Sequence, residues 1–305
     1  MVLAVALGIF ASFLWGITNH IDKFMLVDLD KSTNNVNTLL VFSSLIAGLI
    51  ISPVWLIVSK FSIGISISSL IFVLLAAIIY ILATYFYYKA LDKNDTSIVV
   101  MMFQMIPVFT FFLALFFFDE KLSTSQLIGS LIILLATIFI SFDFENKNSK
   151  NKWNALMFML ISTLLYAVYF LLFDFAIRNS SYISCAFWYQ VGFILIGIIL
   201  MIKKKVRDSF LQAVKLNGKK YFGLNCINEL INLVANLLVN YINLVIPLAL
   251  ANILTGFQGA FAFILGILGI KYLPKYFSEN LNKKDIIQKT VCIFASIIGL
   301  FIMFV

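Results

Sequence analysis

Charge is scarce in this 305-residue chain: Asp, Glu, Lys and Arg together make up 12% of it, about half the share of an ordinary soluble domain. A water-facing globule is excluded on that ground. Cysteine occurs three times, at Cys185, Cys226 and Cys292, each alone inside an apolar run, so neither a disulfide framework nor a metal knuckle is expected. His20 is the only histidine and has no partner at metal-ligand spacing, so no metal and no cofactor are expected. The apolar runs also lack HExxH, GxSxG, a His/Asp pair and a phosphate-cradling loop. An intramembrane lipid-modifying enzyme would need such a nucleophile, base or metal, and no catalytic residue is expected. A receptor or scaffold would need a polar surface outside the membrane. The longest candidate, the basic loop from Lys203 to Lys220, is too short for a domain.

Apolar residues fill the space that charge leaves, at 62% of the chain with 32 phenylalanines. A bilayer core takes about 20 apolar helical residues, and windows of that kind run along the whole sequence. They predict helices near Val2 to Leu26, Asn37 to Val58, Ser68 to Ala90, Asp95 to Phe118 and Leu122 to Phe142. A second set is predicted near Trp153 to Phe175, Tyr182 to Ile202, Tyr221 to Ile242, Ile246 to Ile270 and Ile286 to Val305. The expected fold is an all-α membrane protein of ten transmembrane helices. The N-terminal "MVLAVALGIFASFLW" lacks a basic leader and a small-residue cleavage site, and reads as a retained first helix.

The ten helices divide into two fives, 1–142 and 153–305, on either side of a polar linker at 143–152, "DFENKNSKNK". The halves resemble each other in order. "DEKLSTSQLIGSLIILLATIFI" aligns without gaps on "SENLNKKDIIQKTVCIFASIIG", matching Glu120 to Glu279, Leu122 to Leu281, Ile128 to Ile287, Ala136 to Ala295 and Ile138 to Ile297. Phe103-Gln104 parallels Phe257-Gln258, and "SFLWG" at Ser12 parallels "TLLYA" at Thr163. Five crossings are an odd number, so the second copy enters the membrane from the opposite side, which makes an inverted repeat of the kind that secondary transporters use. The net charge of +8 sits in short connectors, which points to topology and not to nucleic acid. Only Lys60, Lys121 and Arg178 fall on the side of the termini, so the positive-inside rule predicts cytoplasmic basic loops, termini on the outer face, and a plasma or inner membrane location.

Several local patterns resemble the EamA-type transporters of the drug/metabolite transporter superfamily. They are "LWGITNHIDKFML", "YYKALDKNDTSIVVMMFQMIPVF", "FDEKLSTSQLIGSLIILLA" and "YLPKYFSENLNKKDIIQK". The resemblance implies a ten-helix bundle of two inverted halves around a central cavity, moving small metabolites by alternating access. It also implies cytoplasmic termini, where the lysine count argues the reverse.

Within the eighth predicted helix, "NCINELINLVANLLVNYIN" carries a carboxylate and six asparagines. At about 100° per residue, Asn225, Asn232, Asn236 and Asn243 fall within about 20° of one line, Glu229 at about 40°, and Asn228 and Asn240 at about 60° on opposite sides. Such a stripe faces protein or water and not lipid. Interhelical amide bonds are one reading. So many amides along the depth of one helix favour the other, a wet cavity wall. Asn228, Glu229, Asn232 and Asn236 are therefore candidate solute-binding residues, and Glu229 is also a candidate for proton coupling, against the alternative of a carboxylate held by its neighbours. Trp15 and Asn19 on helix one, Tyr80 and Thr84 on helix three, Gln104 and Gln258 at related places in the two halves, and Tyr166 and Tyr169 on helix six are candidates for the remaining walls. For the tyrosines the competing reading is an interfacial aromatic belt. The expected function is secondary transport of a small polar or zwitterionic metabolite, with membrane lipid as surroundings and a homodimer as a candidate assembly. Glu120 and Glu279 read as structural, because Ser123 with Gln126 and Asn282 with Asp285 have the spacing of helix caps.

Overall fold

A computed structural model describes residues 2–29, 35–117, 123–142, 149–246, 253–274, 277 and 279–304, and among them every regular element is a helix. In chain order these are α1 (Val2–Leu29), α2 (Asn35–Val58), α3 (Ile67–Asp92), α4 (Thr96–Met101), α5 (Met105–Phe117), α6 (Thr124–Ile140), α7 (Ser149–Ile177), α8 (Tyr182–Leu200), α9 (Lys204–Val245), α10 (Gln258–Tyr272) and α11 (Lys283–Phe304). Among the described residues, nine spans are long and apolar enough to cross a membrane, and Thr124–Ile140 is a shorter apolar helix. These correspond to the ten windows read from the sequence. Linker residues 143–148, Glu120, Lys121, Leu122 and the start of the ninth window at 247–252 lie outside the described residues.

Helix is the state in which each spanning segment bonds its own backbone groups, as a lipid core demands. The side chains follow the same solvent logic. On α3, Ile71, Leu75, Ile78 and Leu82 recur at helical spacing and are exposed, as a lipid-facing stripe should be. Tyr80 and Thr84 occupy the opposite side of that helix.

Two departures from the predicted helices have local causes. The fourth window is interrupted by a 3₁₀ turn at Met102–Gln104, ahead of Pro107. Proline has no N–H to offer the carbonyl four residues earlier, so the helix tightens there and resumes as α5. The second departure corrects the basic loop. Lys204 onward is helical and runs into the eighth window as one 42-residue element, broken only by non-helical backbone at Asn217. Val206, Ser209 and Ala213 are buried at helical spacing, whereas Lys204, Lys205, Arg207 and Lys215 are exposed. A hydropathy window misses a helix with so narrow an apolar face.

The chain forms two compact units, and each draws on both halves of the sequence. The first comprises 1–24, 89–163 and 231–305. In it α6 packs along α11 and α4 against α10. Gly129 lets α6 approach closely: a Cβ placed there would lie 2.5 Å from the Gly299 carbonyl oxygen and 2.7 Å from Met303 Cβ. The Gln288 amide donates to the carbonyls of Phe139 and Phe142 across the same pair. The second unit comprises 25–88 and 164–230, with α2 packed along α8.

The expected cap at the start of α6 is present as a full capping box between Ser123 and Gln126. At α11, the Asp285 carboxylate is engaged by Lys152 Nζ at 3.1 Å and by the Asn280 amide.

Candidate functional site

Within the second unit, the inner face of α3 meets α7 and α8 in a cluster of tyrosines. The Tyr80 ring lies 5.2 Å from Tyr166, 5.2 Å from Tyr169, 5.9 Å from Tyr189 and 5.3 Å from Phe193, the three tyrosine contacts being edge to face. Offset and T-shaped contacts of this kind contribute about 0.5–1.5 kcal/mol each beyond burial. Thr84 adds the polar element. Its hydroxyl donates to the Tyr80 carbonyl at 2.9 Å and lies 3.0 Å from the Tyr166 hydroxyl. Threonine has one proton, so Tyr166 is the donor in that second bond. Four residues named from the sequence, Tyr80, Thr84, Tyr166 and Tyr169, are therefore brought together. Tyr189 and Phe193 were missed, although their spacing of four along an apolar helix is the signal that would have found them. A Cβ at Gly192, between them on α8, would lie 2.8 Å from the Ala77 Cβ of α3.

The asparagine helix divides by depth. Asn225 is fully buried, donates to the Tyr221 carbonyl at 2.9 Å, and accepts from the Ser43 hydroxyl at 3.2 Å. Its amide also approaches Met25 Sδ at 3.3 Å. The Ser43 and Met25 contacts are interhelical and lie inside the second unit, the role that the competing reading gave Asn225. Asn228 is buried, and Glu229 and Asn232 are half-buried. Asn236 is exposed, and its amide donates to the Asn232 carbonyl one turn back at 2.7 Å. Ile227, Leu230, Val234, Leu237 and Tyr241 form an exposed apolar stripe on the other side of α9. At about 100° per residue the two stripes lie about 160° apart. Asn236 thus has open space on the side of its helix away from the lipid-type face.

The remaining candidates belong to the first unit. Asn19 is buried and donates to the Trp15 carbonyl at 2.6 Å, with the Thr18 hydroxyl on the same acceptor at 2.9 Å. Gln104 is buried in the 3₁₀ turn and donates to the Gly256 carbonyl at 2.8 Å. Gln258 opens α10 two residues further on and is half-buried. Ser12 donates to the Leu254 carbonyl at 2.8 Å. The Gln104 and Ser12 bonds both meet carbonyls in the turn just ahead of α10, where the Leu254 carbonyl also accepts from the Phe257 N–H at 3.2 Å. His20 Nε2 donates to the Ala262 carbonyl at 2.7 Å, and its ring packs on Phe277.

Comparison with known proteins adds a family. Residues 2–142 match the EamA-like transporter family. No curated protein matches the chain. One solved structure, described as "Crystal structure of protein", is similar over 94% of this chain and 95% of its own, at 13% identity and a TM-score of 0.47, which is too distant to carry an argument.

Proposed function

We propose, from the premise that residues 2–142 belong to the EamA-like transporter family, that this integral multi-pass membrane protein is a secondary transporter of a small polar or zwitterionic solute. The observation that carries the polar solute is α9. It turns an apolar stripe outward and keeps Glu229, Asn232 and Asn236 on its other side, with Asn236 exposed. Amides offer both donors and acceptors, which suits a solute bearing both kinds of group. Tyr80, Tyr166 and Tyr169 supply flat surface with polar edges, and Trp15, Asn19, Gln104 and Gln258 are the candidates on the other helices. The solute is carried by alternating access.

The inverted repeat, 1–142 and 153–305, is supported by which helices pack together. α2 with α8, α4 with α10 and α6 with α11 are second with seventh, fourth with ninth and fifth with tenth in span order. Each pairs a helix with its own counterpart, as a two-fold relation between halves requires. Under the positive-inside rule the basic start of α9 is cytoplasmic and the termini lie outside.

Reconstituted protein in proteoliposomes, screened for uptake or efflux against classes of polar metabolite, tests the reading. Asn236→Leu and Glu229→Gln should each lower flux of whichever class is carried. Unchanged transport in both variants would refute the site assignment.

A further inference from the structure

A buried ion cluster in the first unit is not used by the solute reading. Lys289 Nζ of α11 donates to Asp95 Oδ2 at 2.6 Å and to Glu279 Oε2 at 2.8 Å. The Lys289 side chain is 1% exposed and that of Glu279 0%, whereas Asp95, at the start of α4, is 22% exposed and meets the surroundings. Ser97 completes the glutamate shell: its backbone N–H donates to Oε1 at 2.9 Å and its hydroxyl to Oε2 at 2.6 Å. The Asn280 N–H donates to Asp95 Oδ2 at 2.9 Å. Gly266 of α10 leaves the room for this, because a Cβ there would lie 2.6 Å from Glu279 Cγ.

Two carboxylates share one ammonium, so the cluster holds a negative charge in excess. Other charged groups stand near it. Asp285 of α11 is paired with Lys152 of α7. Lys23 of α1 donates to the carbonyls of Leu91 and Asp92. His20 of α1 is within electrostatic reach of Lys289, and α10 offers the Phe263 ring 5.7 Å from the ammonium. Burial pushes the Glu279 carboxyl above the ordinary glutamate range. Lys289 opposes that shift, Asp95 adds to it, and Ser97 opposes it. Glu279 aligns with Glu120 of the first half, whereas Lys289 has no charged counterpart there. Continuing the gap-free alignment puts Ser130 where the second half has Lys289, so the ammonium is not a fixture of the repeated helix start.

We propose that Asp95, Lys289 and Glu279 form a proton-binding site, entered at Asp95 and filled at Glu279. A proton arriving from water binds the Asp95 carboxylate. Lys289 then gives a proton to Glu279 Oε2 and takes the one on Asp95, and the Ser97 hydroxyl turns from donor to acceptor. One proton enters, no carbon bond changes, and the excess charge is neutralised. Resting on the transporter reading, the consequence is that the coupled ion binds here and not at Glu229.

The site is tested without any solute. Purified wild type, Glu279→Gln and Asp95→Asn are titrated from alkaline to acidic pH, reading proton uptake with an indicator dye and the carboxylic C=O band by infrared spectroscopy. Glu279→Gln should take up about one proton fewer per chain and lose that band. Asp95→Asn leaves one carboxylate per ammonium and should move the uptake midpoint to lower pH. A folded Glu279→Gln variant with undiminished uptake overturns the proposal. If that variant does not fold, an unmoved midpoint in Asp95→Asn overturns it. Absence of flux for every metabolite class in wild-type proteoliposomes would count against the transporter reading alone.

Discussion

Replacing Gly129 by alanine should destabilise the protein although alanine is the better helix former. A methyl at 129 would sit 2.5 Å from the Gly299 carbonyl oxygen and 2.7 Å from both Cβ and the backbone nitrogen of Met303. Two of these atoms are backbone and the third is fixed to it, so no side-chain rotation relieves the contact and α11 must move. Forcing a methyl into a packed interface of this kind costs about 1–3 kcal/mol. Alanine returns about 1 kcal/mol of helix preference, which would blur the result if read alone. Gly223→Ala supplies the reference. It lies in α9, and a Cβ there meets nothing within 4 Å, so it gains the preference without the clash. The two variants should therefore differ by the clash itself, about 1–3 kcal/mol. Thermal unfolding of both proteins in one detergent, followed by tryptophan fluorescence, gives the comparison. Equal melting temperatures, or Gly129→Ala above Gly223→Ala, would refute the close approach of α6 and α11.

Three further outcomes are expected. Lys289→Met strands the buried Glu279 carboxylate beside the part-exposed Asp95 and should cost about 3–5 kcal/mol, whereas adding Asp95→Asn and Glu279→Gln to it should recover much of the loss in the same melt. Thr84→Val removes the hydrogen bond between Thr84 and the Tyr166 hydroxyl, at a cost of about 0.5–1.5 kcal/mol. Adding Tyr166→Phe should cost less than the separate effects sum to, and a double-mutant cycle reads that coupling. Because the raised Glu279 carboxyl holds its proton in the folded state and releases it on unfolding, its contribution to stability is complete below the ordinary glutamate range. That contribution is lost as pH rises through the raised value. The melting temperature of wild type should therefore fall more steeply across that window than that of Glu279→Gln.

The ten spans were legible because lipid imposes one strong rule on each of them, an unbroken apolar length. The tyrosine cluster was half legible: Tyr80, Thr84, Tyr166 and Tyr169 stand out as polar tips in oil, whereas Tyr189 and Phe193 lie in the apolar background of α8. The start of α9 was misread as a loop because charge hid its helix, and hydropathy averages away a narrow buried face. The surroundings of Glu279 were not legible: the capping residues beside it mark a helix entry, and only the tertiary fold brings Lys289, Asp95 and the bare backbone of Gly266 around it. Buried charge depends on contacts between residues as much as 194 positions apart, which local pattern does not encode.

The interleaving of the halves bears on how the protein is made. α2, α4 and α6 leave the ribosome long before α8, α10 and α11, the helices against which they pack. When the first five spans have been inserted, the groove at Gly129 still faces lipid, and neither compact unit has all its parts. α11 is made after the other described helices, and the α6 interface closes only when it arrives. Biogenesis therefore passes through a half-protein that is threaded across the bilayer but not yet folded, and in a chain truncated ahead of α11 the first unit stays incomplete.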